Sequence, residues 1–170
     1  MDHIHIYDDF LSSDDLKKAR DIIESKYWQY GHVSNKKTAH PFFWMDLIDD
    51  PFFAKYLLEK IKQVTCGNYI INRVYANGQN AGMNGSYHKD DEDPNTRTFC
   101  LYITHPTYEY MDEVDGHLMI RIPGRQSVMA IEPLPNRGVV FPSNMLHKGN
   151  AFHPMVKEMR VCVAWKLCVA

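Results

Sequence analysis

Two periodicities divide the chain. "HIHIYDDF", at the start, alternates apolar and polar positions as a short strand does. Ser12-Ser13-Asp14-Asp15 then offers a helix cap with acid in the first turn, ahead of Leu16, Ala19, Ile22 and Ile23 at helical spacing. A second helix is predicted from Asp50-Pro51, with Phe53, Tyr56, Leu57, Ile61 and Val64 as its apolar stripe and Gly67 as its stop. The stretch between them, "NKKTAHPFFWMDL", shows neither period and reads as a long irregular loop of the kind that forms lids or binding segments. From Asn68 onward short β-branched and aromatic runs follow one another between Gly, Asn, Asp and Pro: "YIINRVYA", "SYHKD", "TFCLYIT", "HLMIRI", "SVMAIEP", "GVVFP" and "MRVCVAWKL". Such a series predicts an antiparallel sandwich or barrel, so the expected class is α+β: a double-stranded β-helix (jelly-roll) core with two N-terminal helices packed on it. No repeat or low-complexity linker interrupts the chain, and a single domain is expected, with 1–67 as helical support and 68–170 as the core.

Composition narrows the partners. At 170 residues and a formal net charge of −2, nothing pulls the protein towards nucleic acid or an anionic membrane. There is no basic-then-apolar leader and no run of membrane-spanning length. Cys66, Cys100, Cys162 and Cys168 form no C-x-x-C pair, which points to reduced, mostly buried thiols and a cytoplasmic protein.

Candidate chemistry centres on "SYHKDDEDP". If this is a strand or strand end, His88 and Asp90 point to one face, since side chains repeat every second residue. The competing reading is a solvated acidic loop, in which Asp91 and Asp93 are mis-spaced for the same role. A third ligand is available in "RGVVFPSNMLH", where His147 follows an apolar strand and a short polar turn. Two histidines and one carboxylate leave adjacent positions open and suit non-haem iron(II); a structural zinc site would be closed by four ligands, and no cysteine lies near in sequence. Thirteen residues beyond His147, Arg160 opens the last apolar strand, where burial of a guanidinium calls for an anion such as a dicarboxylate; Lys157 is a rival anchor. His3 and His5 share a strand face, His40, His105 and His153 each precede proline, and His117 lies within "DGHLMI", where it either lines a cavity or is exposed. Trp44 reads as a core aromatic or a substrate cover.

Taken in order, these motifs resemble the prolyl 4-hydroxylase-like branch of the iron(II)/2-oxoglutarate-dependent dioxygenases over roughly residues 68–167. The family's H-x-D falls on His88 and Asp90, its distal histidine on His147 and its cosubstrate-binding basic residue on Arg160. "DGHLMI" is similar to the family's G-G-x-L strand, with Asp115 in place of the first glycine and Leu118 at the leucine; "IEP" matches Ile131-Glu132-Pro133. The tyrosine of a Y-x-x-G turn falls on Tyr75, and Tyr102 is nearest to a second tyrosine that binds cosubstrate carboxylates; Arg97 stands where some relatives contact substrate. Two departures are a longer His147–Arg160 spacing and the insertion-like "NAGMNGSY", a candidate substrate lip.

The resemblance implies Fe(II), 2-oxoglutarate and O2, with ascorbate as a reductant. It further implies hydroxylation of an unactivated C–H bond, in a prolyl or other residue of a peptide or protein, with release of succinate and CO2. A free amino acid or small metabolite is the alternative substrate, and a jelly-roll binding module without catalysis the alternative function. The acidity of the chain counts against a nucleic-acid demethylase, and the absence of an H-x-H in the core against a cupin.

Overall fold

The computed structural model describes residues 4–170. Among the described residues ten strands form two antiparallel sheets, and their order brings distant parts of the chain side by side. In the larger sheet the order is β1 (His5–Tyr7), β8 (Gly138–Pro142), β5 (Thr96–Tyr102), β10 (Arg160–Val169), β4 (Tyr69–Gln79), β3 (Pro41–Asp46) and β2 (Gln29–Val33). The smaller is β7 (Val128–Ile131), β6 (Leu118–Arg121) and β9 (His147–Gly149).

Alternation along β10 separates two cores. Val161, Val163, Trp165 and Leu167 join Val74, Phe99 and Val140 in an apolar cluster shared with the helices, through Ala19 and Ile23 of α1 (Ser13–Ser25) and Leu57 and Ile61 of α2 (Leu57–Thr65). Trp165 Nε1 donates to Phe53 O at 3.0 Å, so the buried indole N–H is satisfied. Cys162 and Ala164, on the opposite face, pack with Tyr102 and Phe141 against Leu118, Ile120 and Ile131 of the smaller sheet. Arg160 and Lys166 have the parity of this second face, so both enter the space between the sheets.

The helix caps agree with the sequence: Ser12 Oγ accepts from Asp15 N at 3.2 Å. The second helix differs, because a π-helical turn over Phe52–Tyr56 precedes α2. That turn buries Phe52 with Phe53 and leaves Tyr56 and Val64 of the expected stripe exposed. Cys66, rather than Gly67, takes the left-handed C-terminal position at φ 50°. Gly67 is needed for space, since a Cβ there would lie 2.3 Å from the Tyr69 ring.

The stretch read as an irregular loop, residues 35–47, carries strand β3 and the turn that joins it to β2 in a hairpin. Pairing with β4 decides it: Phe43 sits opposite Gly78 and Trp44 opposite Asn77, extending the sheet beyond what local pattern shows. The described part of the expected helical support, residues 4–67, therefore contributes strands as well as helices. "SYHKD" makes only an isolated bridge, His88 to His147, and His147, expected to follow a short polar turn, does so and opens strand β9.

Gly138 leads β8 because the Phe99 ring occupies its side-chain space; a Cβ would meet Phe99 Cζ at 2.6 Å. Phe99 is itself fully buried. Gly138→Val is expected to cost about 1–3 kcal/mol of overpacking, seen as a lower urea midpoint with an unchanged slope.

Candidate active site

His88 and His147 are locked together by their backbones: His88 N donates to His147 O at 3.0 Å and His147 N to His88 O at 2.9 Å. Asp90 N donates to Ser143 O at 2.9 Å, which clips the "SYHKD" segment to the turn after β8. His88, Asp90 and His147, 59 residues apart at the extremes, thereby offer three ligand atoms within 4.8 Å of one another.

Proton placement in the two rings is fixed by their outer partners. His88 Nδ1 is 2.9 Å from Ser86 O, and His147 Nδ1 is 2.8 Å from Met145 O. A carbonyl can only accept, so each Nδ1 carries the proton and each neutral ring keeps its lone pair on Nε2. Those two Nε2 atoms lie 3.3 Å from Asp90 Oδ1 and 3.3 Å from Asp90 Oδ2 respectively. In that tautomer three lone-pair donors converge, with the Lys166 ammonium on Asp90 as a cation beside them. A second ring proton is opposed at His147, where burial holds the pKa below the ordinary histidine value although Asp90 pulls it upward. The donor set fits Fe(II): two imidazoles and one carboxylate, with Nδ1–H bonds orienting both rings.

Asp90 is braced from its other side. Thr98 Oγ1 donates to Oδ2 at 2.6 Å, and the Lys166 ammonium bonds the same oxygen. The carboxylate side chain is only 6% exposed, and burial disfavours its charge; the Lys166 ammonium opposes this, and the pKa lies well below the usual range. Burial likewise opposes the charge on Lys166, and Asp90 outweighs it, leaving the amine above its ordinary value.

A cleft opens beside the histidines and is lined by His88, His147, Arg160, Tyr75, Tyr102 and Leu118. Arg160, 3% exposed, has its fork set by two buried bonds, Nε to Gly116 O at 2.7 Å and Nη1 to Gln79 Oε1 at 2.7 Å. Its guanidinium stands 5.1 Å from the Tyr102 ring centre. Among the described residues the buried Tyr102 hydroxyl has no hydrogen-bond partner, and burial keeps it a neutral phenol that can donate. A cationic fork beside an unpartnered hydroxyl fits a carboxylate at this end of the cleft.

Lys157, in contrast, is exposed, so it is Arg160 that faces the cleft. His117 lines a separate depression with Asp115 and Glu132, and His40 binds Ser86 Oγ at 3.1 Å. His5 is exposed on β1, and His3 lies outside the described residues. Arg97 is turned to Pro94 O and Thr96 O, at 2.7 and 2.8 Å, and Asp91 and Asp93 are exposed. Trp44 stands on β3 with its ring 5.7 Å from His32, which lines the cleft. The "NAGMNGSY" loop reaches the cleft through Gly85, whose N donates to Gly149 O at 2.8 Å. Asp115 adopts φ 60°, a conformation that glycine takes without strain, and this turn aims the Gly116 carbonyl at Arg160. Sequence reasoning did not single out Lys166, Thr98 or Gln79. For Lys166 the signal was present: it lies six residues after Arg160, hence on the same face of β10.

No protein-family model matches the chain, and no curated protein does. Solved structures do match. An oxidoreductase of the 2OG-Fe(II) oxygenase family from Burkholderia pseudomallei aligns with a TM-score of 0.75 at 9% identity, covering 98% of this chain and 85% of that one. The fold is that of the 2OG-Fe(II) oxygenases. A prolyl-4-hydroxylase from Pseudomonas putida aligns at 0.67 and 16% identity, covering 99% and 94%. A prolyl hydroxylase from Trichoplax adhaerens, in complex with a hypoxia inducible factor oxygen degradation domain peptide fragment, aligns at 0.67 and 17%, covering 98% and 84%. This fold accounts for the two antiparallel sheets.

Proposed function

We propose that this chain is an Fe(II)- and 2-oxoglutarate-dependent dioxygenase that hydroxylates an unactivated C–H bond of a prolyl or other amino-acid residue in a peptide or protein. The observation that carries the reading is the convergence of three lone-pair donors with both histidine protons turned outward. His88, Asp90 and His147 would hold the metal. Arg160 would bind the far carboxylate of 2-oxoglutarate, with Tyr102 donating from its unpartnered hydroxyl and Tyr75 and Leu118 walling the cleft. When bound, iron and 2-oxoglutarate supply the activation of O2, with succinate and CO2 as coproducts. The chain's own part is positional: Thr98 and Lys166 fix the Asp90 carboxylate, Gln79 and Gly116 fix the Arg160 fork, and the buried walls keep bulk water from the reacting centre. The peptide substrate is favoured by the peptide held in the Trichoplax structure.

The test is anaerobic. Fe(II) and then 2-oxoglutarate are added to purified protein while the visible spectrum is recorded. A weak absorption band that needs both additions, and is missing in His88→Ala, is the expected result. No band and no binding of either component would leave a binding module, and the search would turn to partners.

A further inference from the structure

Lys166 is a charge at the site, in contact with Asp90, that metal ligation and cosubstrate binding leave unused. It stands on β10 six residues from Arg160, with its side chain 15% exposed and its ammonium on Asp90 Oδ2. It also lies 5.6 Å from the centre of the Tyr75 ring. The carboxylate it holds is the only anion among the three candidate ligands.

Two consequences follow from that placement. Without metal, Lys166 supplies the counter-charge that Asp90 would otherwise lack in a site where its side chain is 6% exposed. With metal, the same ammonium stands one carboxylate away from a dication, repelling it and drawing electron density from the oxygen pair that must ligate it. Thr98 already donates to Oδ2 at 2.6 Å, so the carboxylate's orientation does not depend on the lysine alone. What Lys166 adds is charge.

We infer that Lys166 is a positioning residue that trades metal affinity for stability of the metal-free site: it holds the empty His88-Asp90-His147 group together and weakens its grip on a divalent cation. This inference rests on the metal-binding reading above. Its signature is a pair of effects of opposite sign. Loss of the positive charge strengthens metal binding while it weakens the metal-free fold, whereas a lysine that merely filled space or oriented Asp90 would, on removal, weaken both.

The experiment uses the whole chain and Mn(II) alone as the probe, followed by electron paramagnetic resonance of the free ion, alongside thermal unfolding of the metal-free protein. Lys166→Gln removes the charge but keeps an amide that can donate to Asp90, so the protein folds. The expected result is Mn(II) binding tighter by about tenfold or more, since a unit charge near 4 Å from a dication is worth over 1.4 kcal/mol even at the dielectric of water. Unfolding of the metal-free variant is expected at a lower temperature than wild type. Lys166→Arg, which keeps the charge, is expected to restore wild-type affinity. Equal or weaker Mn(II) binding by Lys166→Gln overturns the inference and leaves the metal site standing. Failure of wild type, Lys166→Gln and Lys166→Arg alike to bind Mn(II) overturns the metal-binding reading and the inference with it.

Discussion

His88→Ala and Asp90→Ala are expected to abolish turnover alike yet to differ sharply in stability. Each removes one of three ligands, and the loss of activity should exceed the roughly 10–100-fold that removal of an outer partner of a metal ligand costs. Their structural roles are unequal. The His88 ring makes one side-chain bond to the protein, to Ser86 O, and its side chain is 20% exposed, so alanine there leaves little unsatisfied. Asp90 answers the nearly buried Lys166 ammonium and the Thr98 hydroxyl; in Asp90→Ala the hydroxyl keeps Ser143 Oγ at 3.1 Å, but Lys166 loses its acceptor. A nearly buried charge left without its partner costs about 3–5 kcal/mol, enough to consume much of the stability of an ordinary domain. Urea unfolding of metal-free protein checks this: His88→Ala within about 1 kcal/mol of wild type, Asp90→Ala several kcal/mol below it. Equal midpoints would show that Lys166 finds water or another acceptor when the carboxylate is gone.

That contrast marks where sequence reading stops. His88, Asp90, His147 and Arg160 were legible only in combination and in order: a His-x-Asp pair, a histidine after an apolar strand and a short turn, and a guanidinium opening the last apolar strand. Strands β4, β5, β6, β7, β8 and β10 were legible because their apolar runs end at Gly, Asn, Asp or Pro. The β2–β3 hairpin was not, since its aromatic run becomes a strand only through pairing with β4. Nor was the π-helical turn, which shifts the helix face by a fraction of a turn and exchanges Tyr56 for Phe52. Lys166 escaped for a different reason. Its parity matched Arg160, but a lysine near a chain's last strand reads as solvent-facing until the sheet order places β10 at the centre, between β5 and β4.

Arg160→Gln is expected to raise the 2-oxoglutarate requirement by at least about 30-fold, the effect of about 2 kcal/mol for a buried charge pair that loses one member. The side chain works through a fork whose other arms are already committed, Nε to Gly116 O and Nη1 to Gln79 Oε1. Glutamine can replace one of those bonds but brings no charge to the carboxylate. Arg160→Lys keeps the charge and gives up the fork, so its requirement should fall between the two, because a point charge cannot reproduce a planar two-donor contact. The readout is the 2-oxoglutarate concentration that half-develops the anaerobic absorption band, which reports binding without needing the hydroxylated substrate. Lys157→Ala serves as the comparison: its side chain is exposed, and it should leave that concentration unchanged. A large rise with Lys157→Ala and none with Arg160→Gln would move the anchor to the loop before β10, and the cleft beside Tyr102 would then belong to some other ligand.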